Sequence, residues 1–270
     1  MNTLKIILIC SCLSLAGITV AQSDEEGNSS GAHRMYISAY GGGFHASKKI
    51  ASYYDGSGDN NIVRIITIPY IYNQIYNKLG YNFNMGEYPY EPRYRIGISA
   101  GVEAGFWISD YTALTLGTCY SNLRINEVFT LEAENPANPF GDPFIYKEQI
   151  LGTEQRFQFD LGLHHDVGAN ENYMTFFEWG GNFSALKPIK HEIVVEGTLR
   201  YNLMYQPNFV NNAPRTEVGY GAYAAFGCRM SFGGSMAVDV GIKGYLQKLN
   251  LGYNQGFMSA QLIFARIVYI

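Results

Sequence analysis

Apolar residues recur at every second position over long stretches of this chain, and such alternation predicts β-strands with one apolar face. The clearest stretch covers residues 218–232, where one face is apolar and the other carries Gly, Ala, Tyr, Arg and Ser. Gly233 and Gly234 follow, and the alternation resumes at Met236. The pattern therefore predicts a hairpin closed by a tight turn.

The same alternation predicts two further hairpins, a first strand and a last strand. The predicted strands are 34–45, 94–108, 111–130, 147–165, 173–184, 218–232, a strand from 236 and 257–270. Three short turns alternate with longer connections over about 46–93, 131–146, 185–216 and 249–256. Short turns at one end and longer loops at the other are typical of outer-membrane barrels.

Composition supports a barrel rather than a soluble domain. The chain contains 30 Gly, 22 Tyr and 16 Phe, while only 16% of its residues are charged. Each strand of a membrane barrel shows a single apolar face to lipid, so such a chain needs no long apolar segment. We therefore predict an all-β fold, a closed antiparallel transmembrane β-barrel of eight strands. A secreted β-sandwich is the chief rival fold.

Two stretches fit the eight-stranded pattern less well. Residues 62–79 have helical spacing after Pro69, whereas 62–68 could form a strand. Residues 191–205 could form a pair of strands. If both stretches supply barrel strands, the count rises to ten or more.

The strand faces opposite the apolar ones carry charged side chains. They are Arg95, Glu103, Arg156, Asp160, Glu178, Arg229, Asp239, Lys243 and Arg266. Charges inside a barrel are costly unless they are paired, so we expect an internal network of salt bridges. The alternative is an ion path, but an eight-stranded barrel is only wide enough for its own side chains.

The two cysteines and a set of aromatic residues also have predicted positions in the barrel. Cys119 and Cys228 are placed on opposite faces and are not expected to pair. An aromatic girdle is expected at the turn end, from Tyr36, Phe106, Tyr111, Tyr173, Phe232 and Tyr269.

The N-terminal residues predict export. Lys5, the apolar run 6–20 and Ala21 predict a signal peptide over 1–21. A periplasmic tail over 22–33 and the barrel domain over 34–270 would follow.

The last strand alternates Ile263, Ala265, Ile267 and Tyr269 with Phe264, Arg266, Val268 and Ile270. With this strand and the Gly- and Tyr-rich strands before it, the chain resembles the small outer-membrane β-barrel family of OmpA-like and OmpX-like barrels. The resemblance is greatest to the versions common in Bacteroidetes, and it covers roughly residues 34–270. It implies a location in the bacterial outer membrane, with lipid and lipopolysaccharide as neighbours.

Candidate chemistry is sparse. His164 and His165 lie near Asp166, but no metalloprotease, serine-hydrolase or cysteine-rich motif accompanies them. Gly41, Gly42 and Gly43 are not followed by the lysine and helix of a phosphate-binding loop. We therefore assign no catalytic, cofactor-binding or metal-binding residue and expect no enzyme. The net charge of -4 gives no reason to expect a nucleic-acid partner.

The loops are the remaining candidates for function. The first contains tyrosines that could recognise a protein or a glycan, or could pack over the barrel mouth: Tyr53, Tyr54, Tyr70, Tyr72, Tyr76, Tyr81, Tyr88, Tyr90 and Tyr94. Prolines lie in the second and third, at Pro136, Pro139, Pro143, Pro207 and Pro214. A structural or surface-binding role comes first among the expected functions. A subunit of a secretion or adhesion machine is second, and a lipid-modifying hydrolase is third.

Overall fold

A computed structural model describes residues 35–58, 61–135, 141–168, 173–204, 216–232, 236–251 and 254–269. Its strands are β1 (Met35–Ala46), β2 (Phe83–Met85), β3 (Arg95–Trp107), β4 (Thr112–Ala133), β5 (Phe144–Val167), β6 (Tyr173–Val195), β7 (Leu199–Asn202), β8 (Glu217–Ser231), β9 (Met236–Leu251) and β10 (Asn254–Tyr269). Its helices are α1 (Lys48–Ala51), a 3-10 turn (Ser52–Tyr54), α2 (Ile62–Ile66) and α3 (Pro69–Leu79). The predicted signal peptide and tail lie outside the described residues.

Eight of the strands form a closed ring. Each of β1, β3, β4, β5, β6, β8, β9 and β10 pairs antiparallel with two neighbours, and β1 pairs with β10 to close the circle. Strands β2 and β7 lie outside the ring and pair with the loop ends of β4 and β6. The predicted barrel and its count of eight are confirmed.

The two ends of the ring differ. At the turn end, short connections join β3 to β4, β5 to β6 and β8 to β9. At the loop end, the longest connection holds all the described helices and β2. The predicted loop over 249–256 was wrong, because β9 and β10 stay paired up to Leu251 and Asn254, with only 252–253 between them.

Large apolar side chains cover the outside of the ring. Those exposed by 40% to 80% include Ile37, Ile98, Val102, Leu114, Leu116, Phe157, Phe159, Leu161, Phe177, Trp179, Phe183, Tyr220, Phe226, Val240, Ile242, Leu246, Ile263 and Ile267. Soluble proteins rarely expose a continuous apolar surface of this size. We call it the apolar belt, and it is the surface that faces lipid.

The belt has a clear upper edge on β4, β5 and β6. Outward residues on β4 change from Leu116 and Tyr120 to Asn122, Arg124 and Asn126 toward the loop end. Strand β5 changes in the same way between Phe157 and Gln155. The loop-end parts of these strands, about residues 122–133, 144–155 and 187–195, therefore extend beyond the lipid.

Three residues point the opposite way from the prediction. The pairing of β3 with β4 is irregular between Arg95 and Ile98, and this irregularity reverses the alternation at the start of β3. Arg95 is consequently exposed and Tyr94 is buried. Tyr36 also points inward, where its hydroxyl donates to Glu103 at 3.2 Å. The predicted girdle thus loses Tyr36, while Tyr111, Tyr173, Phe232 and Tyr269 are exposed at the turn end.

The remaining structural predictions have clear outcomes. Cys119 is buried, Cys228 is exposed, and both are free thiols. Residues 62–66 are helical, so the strand proposed there was wrong, whereas the helix after Pro69 is confirmed. Residues 191–202 do form a strand pair, but as the end of β6 with β7 and not as part of the ring.

Glycine at position 42 is required where the barrel closes. A Cβ on Gly42 would lie 2.0 Å from the backbone oxygen of Ile263, whereas a Cβ on Gly41 would lie 3.7 Å from that of Ser99. We expect Gly42→Ala to lower the free energy of unfolding by about 2 to 3 kcal/mol and Gly41→Ala to leave it almost unchanged. Urea titrations of the two variants in lipid vesicles would test this, and equal midpoints would contradict it.

Candidate functional site

Charged side chains fill the turn-end half of the lumen. We call this group the interior charge cluster, and each member is at most 5% exposed: Glu103, Asp160, His164, Asp166, Glu178, Arg229, Asp239, Lys243 and Arg266. Inward alternation on six strands brings them together. Every charged residue predicted to face inward does so except Arg95.

Arg266 on β10 is the centre of the cluster. Its Nη1 lies 2.7 Å from Glu103 Oε1 and 2.6 Å from Glu178 Oε1, and its Nε lies 2.6 Å from Asp239 Oδ2. One guanidinium therefore joins carboxylates from β3, β6 and β9. Its planar set of donors suits several carboxylates at once, which an ammonium group cannot match as well.

Two further cations complete the network. Arg229 binds Asp239 through Nε at 2.9 Å and Asp166 through Nη1 at 3.2 Å. Lys243 Nζ lies 3.1 Å from Asp160 Oδ2 and 3.5 Å from Glu178 Oε2. The predicted internal salt-bridge network is thus present, and it ties distant strands of the ring to one another.

His164 belongs to this network. Its Nδ1 lies 3.0 Å from Glu178 Oε1, and its Nε2 lies 2.9 Å from Asp166 Oδ1. Its Nδ1 also lies 3.3 Å from Arg266 Nη2 and its Nε2 lies 3.4 Å from Arg229 Nη2, so the ring contacts both carboxylates and guanidinium groups. Apart from His164, the cluster contains three permanent cations and five carboxylates, so carboxylates are in excess.

The loop-end half of the lumen is also filled. Arg156 forms a buried ion pair with Glu154, and its guanidinium lies 5.5 Å from the ring centre of Tyr94 and 5.7 Å from that of Phe44. The hydroxyls of Tyr94 and Tyr54 donate to Glu154 Oε2 at 2.6 and 3.2 Å. Aromatic side chains and one ion pair therefore fill this part of the barrel.

A short segment, residues 48–54, closes the mouth, and we call it the mouth plug. Its residues Ile50, Ala51 and Tyr54 are at most 1% exposed. The backbone oxygen of Tyr54 lies 3.2 Å from Nε2 of His191, beyond the belt on β6. Burial lowers the pKa of His191 to about 3, so the ring is neutral and Nε2–H can donate to that oxygen.

At the loop end, helices α2 and α3 pack on the parts of β4, β5 and β6 that extend beyond the belt. We call this unit the head: α2, α3, β2, β7 and the parts of β4, β5 and β6 beyond the belt. It has its own apolar core, whose buried members include Ile62, Ile65, Ile75, Leu79, Phe83, Phe129, Leu131, Ile150, Ile193 and Val195. The long first connection is therefore not a plain loop but part of a folded unit.

The sequence signals for the helices of the head are local ones. The side chain of Asn61 accepts from the backbone N–H of Val63 at 2.8 Å and so caps α2. Pro69 occupies the first turn of α3, and Gly80, with φ of 80°, ends it. The sequence contains these helix-start and helix-end signals, but the alternation of apolar residues, which predicts strands, does not detect them.

The loop tyrosines differ in their exposure to solvent. Tyr54 and Tyr94 are buried at the mouth, and Tyr72 stacks on Phe83 with ring centres 4.7 Å apart. Tyr70 is 69% exposed and Tyr90 is 92% exposed. Most of the described tyrosines thus pack the plug and the head, and a few face solvent.

The head contains a carboxyl group that should make its stability depend on pH. Burial raises the pKa of Glu148 from 4.5 to about 7, although its Oε2 accepts the backbone N–H of Glu196 at 2.8 Å. The folded head then binds more protons than the unfolded one between these values, so stability is lost as the pH rises from 4.5 to about 7.

We expect proteinase K to cleave the β6–β7 hairpin more slowly at the acidic end of this range than at the neutral end, after correction for protease activity. Glu148→Gln should remove the difference, whereas Glu87→Gln, at an exposed position, should keep it. The same pH dependence in both variants would show that another group is responsible.

Within the described ranges, no three His, Cys, Asp or Glu side chains are arranged to hold a metal ion. No helix in the described part of the chain is long and apolar enough to cross a bilayer.

An apolar outer belt, a charged and packed interior, short turns at one end and long connections at the other define the class of this protein. It is a small eight-stranded antiparallel β-barrel of the transmembrane type, the kind of barrel found in bacterial outer membranes. In barrels of that kind, short turns face the periplasm and long connections face the cell exterior.

Sequence comparison adds no relative, since no family model and no curated protein matches the chain. Solved structures are similar to it. Neisserial surface protein A has a TM-score of 0.42 at 10% identity, covering 87% of this chain and 96% of that one. Ail of Yersinia pestis, in complex with the heparin analogue sucrose octasulfate, has 0.36 at 7%, covering 87% and 99%. The N-terminal β-barrel domain of Pseudomonas aeruginosa OprF has 0.34 at 8%, covering 88% and 99%.

Proposed function

We propose that this protein is a non-conducting, non-enzymatic surface protein that binds a protein or a glycan through its extracellular head. The observation that carries the proposal is the head itself, an apolar-cored unit built on extensions of three barrel strands. Binding residues on a rigid scaffold lose little conformational freedom when a partner docks. Its belt would contact outer-membrane lipid and lipopolysaccharide.

The filled lumen supports a role other than transport. Ion pairs occupy its periplasmic half, and Arg156, Phe44 and the mouth plug occupy the other half. An ion would have to displace side chains that are tied to several strands. We expect no conductance steps when the purified protein is inserted into planar bilayers.

The engagement of His164 supports a role other than catalysis. Both of its ring nitrogens face carboxylates, and the side chain is fully buried. A general base needs a free nitrogen within reach of a substrate proton. His164 therefore provides no support for the hydrolase hypothesis.

Exposed tyrosines of the extracellular region offer the sharpest test. Tyr70 and Tyr90 present large amphipathic rings to solvent, as binding surfaces often do. Protein in lipid nanodiscs would be applied to printed glycans and to immobilised matrix and plasma proteins. We expect at least one of these to be bound, with a loss of about tenfold or more in the variant Tyr70→Ser/Tyr90→Ser.

Tyr111→Ser is the matched control, since Tyr111 is 57% exposed at the turn end. It should bind as the unchanged protein does. Conductance steps in the bilayer would overturn the non-conducting role, and equal binding by all the variants would overturn recognition by these tyrosines. A subunit of a secretion or adhesion machine would also bind a protein, and co-purification of a fixed envelope complex would identify that case.

A further inference from the structure

One wall of the barrel carries cations directly above the apolar belt. Arg95 on β3 pairs in register with Arg124 on β4, Arg124 pairs with Thr153 on β5, and Thr153 pairs with Lys190 on β6. Lys187 lies in the next row toward the periplasm, opposite Gln155. We call Arg95, Arg124, Lys187 and Lys190 the basic patch.

Side chains in register on neighbouring strands share a face, with Cβ atoms about 5 Å apart. Arg95, Arg124 and Lys187 are exposed, and Ile125, Leu123 and Glu154 on the inward positions are buried. The basic patch therefore lies on the outer wall, on the surface that continues the apolar belt. It does not belong to the lumen or to the core of the head.

The patch lacks enough carboxylates to balance it. Glu192 binds Lys190 at 2.7 Å and Arg200 at 2.6 Å, and Glu127 accepts the backbone N–H of Arg93 at 3.0 Å. Across the described part of the chain, no ion pair involves Arg95, Arg124 or Lys187. Two arginines directly opposite each other repel, so an anion between them would be stabilising.

The depth of the patch indicates what the anion is. The last apolar row below it includes Tyr120 and Phe157, whose ring centres lie 5.0 Å apart. With a strand rise of about 3.3 Å and a tilt of about 40°, Lys187 lies roughly 5 Å and Arg124 roughly 10 Å above that row. The polar layer of a leaflet is about 5 to 7 Å thick, so the long side chains reach the headgroups.

The opposite side of the barrel, formed by β8, β9, β10 and β1, carries fewer cations at the height of the basic patch. Outward positions there carry Tyr220 on β8, Lys248 on β9, Gln261 on β10 and His45 on β1. Lys248 is the one permanent cation among them. A general attraction to an anionic membrane would not require the cations to lie on one side of the barrel. A single bound molecule would, because it contacts one side only.

We infer that the basic patch binds the phosphate groups of a phosphorylated glycolipid of the outer leaflet, whose acyl chains lie on the belt beneath it. Arginine and lysine both bind phosphate, and arginine can do so through two parallel hydrogen bonds. The inference rests on the proposed contact with lipopolysaccharide and gives that contact a place on β3–β6. It is independent of what the head binds.

Native mass spectrometry in detergent would measure binding of bisphosphorylated lipid A to the full-length protein. The variant Arg95→Gln/Arg124→Gln/Lys187→Gln should bind at least about tenfold more weakly, because each cation near such a surface contributes roughly a factor of five. The control Lys78→Gln/Lys147→Gln/Lys248→Gln removes the same charge elsewhere and should bind as the unchanged protein does. A gel shift between boiled and unboiled samples would verify that both variants fold.

Enzymatically dephosphorylated lipid A distinguishes the headgroup from the acyl chains, and it should bind the unchanged protein about as weakly as the patch variant binds lipid A. Inorganic phosphate in excess should not displace the lipid. Equal binding of both lipids, full binding by the patch variant, or displacement by inorganic phosphate would each overturn the inference. None of these outcomes affects recognition by Tyr70 and Tyr90, which is measured without added lipid A.

Discussion

Arg266→Met is expected to lower the free energy of unfolding of the barrel by about 3 to 5 kcal/mol. The substitution keeps an unbranched side chain of similar length but leaves Glu103, Glu178 and Asp239 without their shared cation. All three carboxylates are at most 2% exposed. Breaking a buried ion pair is costly because a charge remains in a poorly solvated place.

Urea titrations in lipid vesicles, followed by the fluorescence of the two tryptophans, would measure the loss. Arg95→Met is the matched control, since Arg95 is exposed on the outer wall and outside the cluster. It should change stability by less than about 0.5 kcal/mol. Adding Glu178→Gln to Arg266→Met should restore part of the loss, because it removes one carboxylate from a cluster in which carboxylates outnumber cations. Equal stability of the two methionine variants would show that water solvates the lumen.

Ile75→Asp is expected to unfold the head while leaving the barrel intact. Ile75 on α3 is fully buried in the core of the head. A carboxylate there is removed from water without a cation to pair with, which costs several kcal/mol. The ring of eight strands makes its own pairings and need not open.

Limited proteolysis would separate the two units. In Ile75→Asp, cleavage within the first connection should become fast, while the protected barrel fragment keeps its gel shift between boiled and unboiled samples. Asn73→Asp is the control, since it adds the same charge two residues away at an exposed position of α3. Loss of the gel shift in Ile75→Asp would contradict the independence of barrel and head.

The strict alternation of apolar and polar positions, with a period of two residues, was sufficient to predict the ring and most of its interior. Glu103, Glu178, Asp239 and Arg266 face inward because nothing interrupts the alternation of their strands. The prediction failed for Arg95 because an irregular pairing reversed the face, and such irregularities leave little trace in a single sequence. It failed for the loop over 249–256 because strand pairing continues past the point where apolar alternation ends.

The head was harder to predict for a different reason. Its core joins α2 and α3 to the polar ends of β4, β5 and β6, which are distant in sequence. Ile150 and Ile193 look like ordinary strand residues until the helices that cover them are placed. The basic patch was missed because Arg95 had been assigned to the lumen, and because only the register of four strands brings its members together.

The position of Arg266 on the final strand has a consequence for the order of assembly. A chain that has not yet added β10 holds Glu103, Glu178 and Asp239 without the cation that joins them, and β1 without its closing neighbour. Incomplete barrels are therefore electrostatically strained as well as open at an edge. Docking of β10 relieves both defects in one step, so that partly formed rings should be scarce and closure should be cooperative.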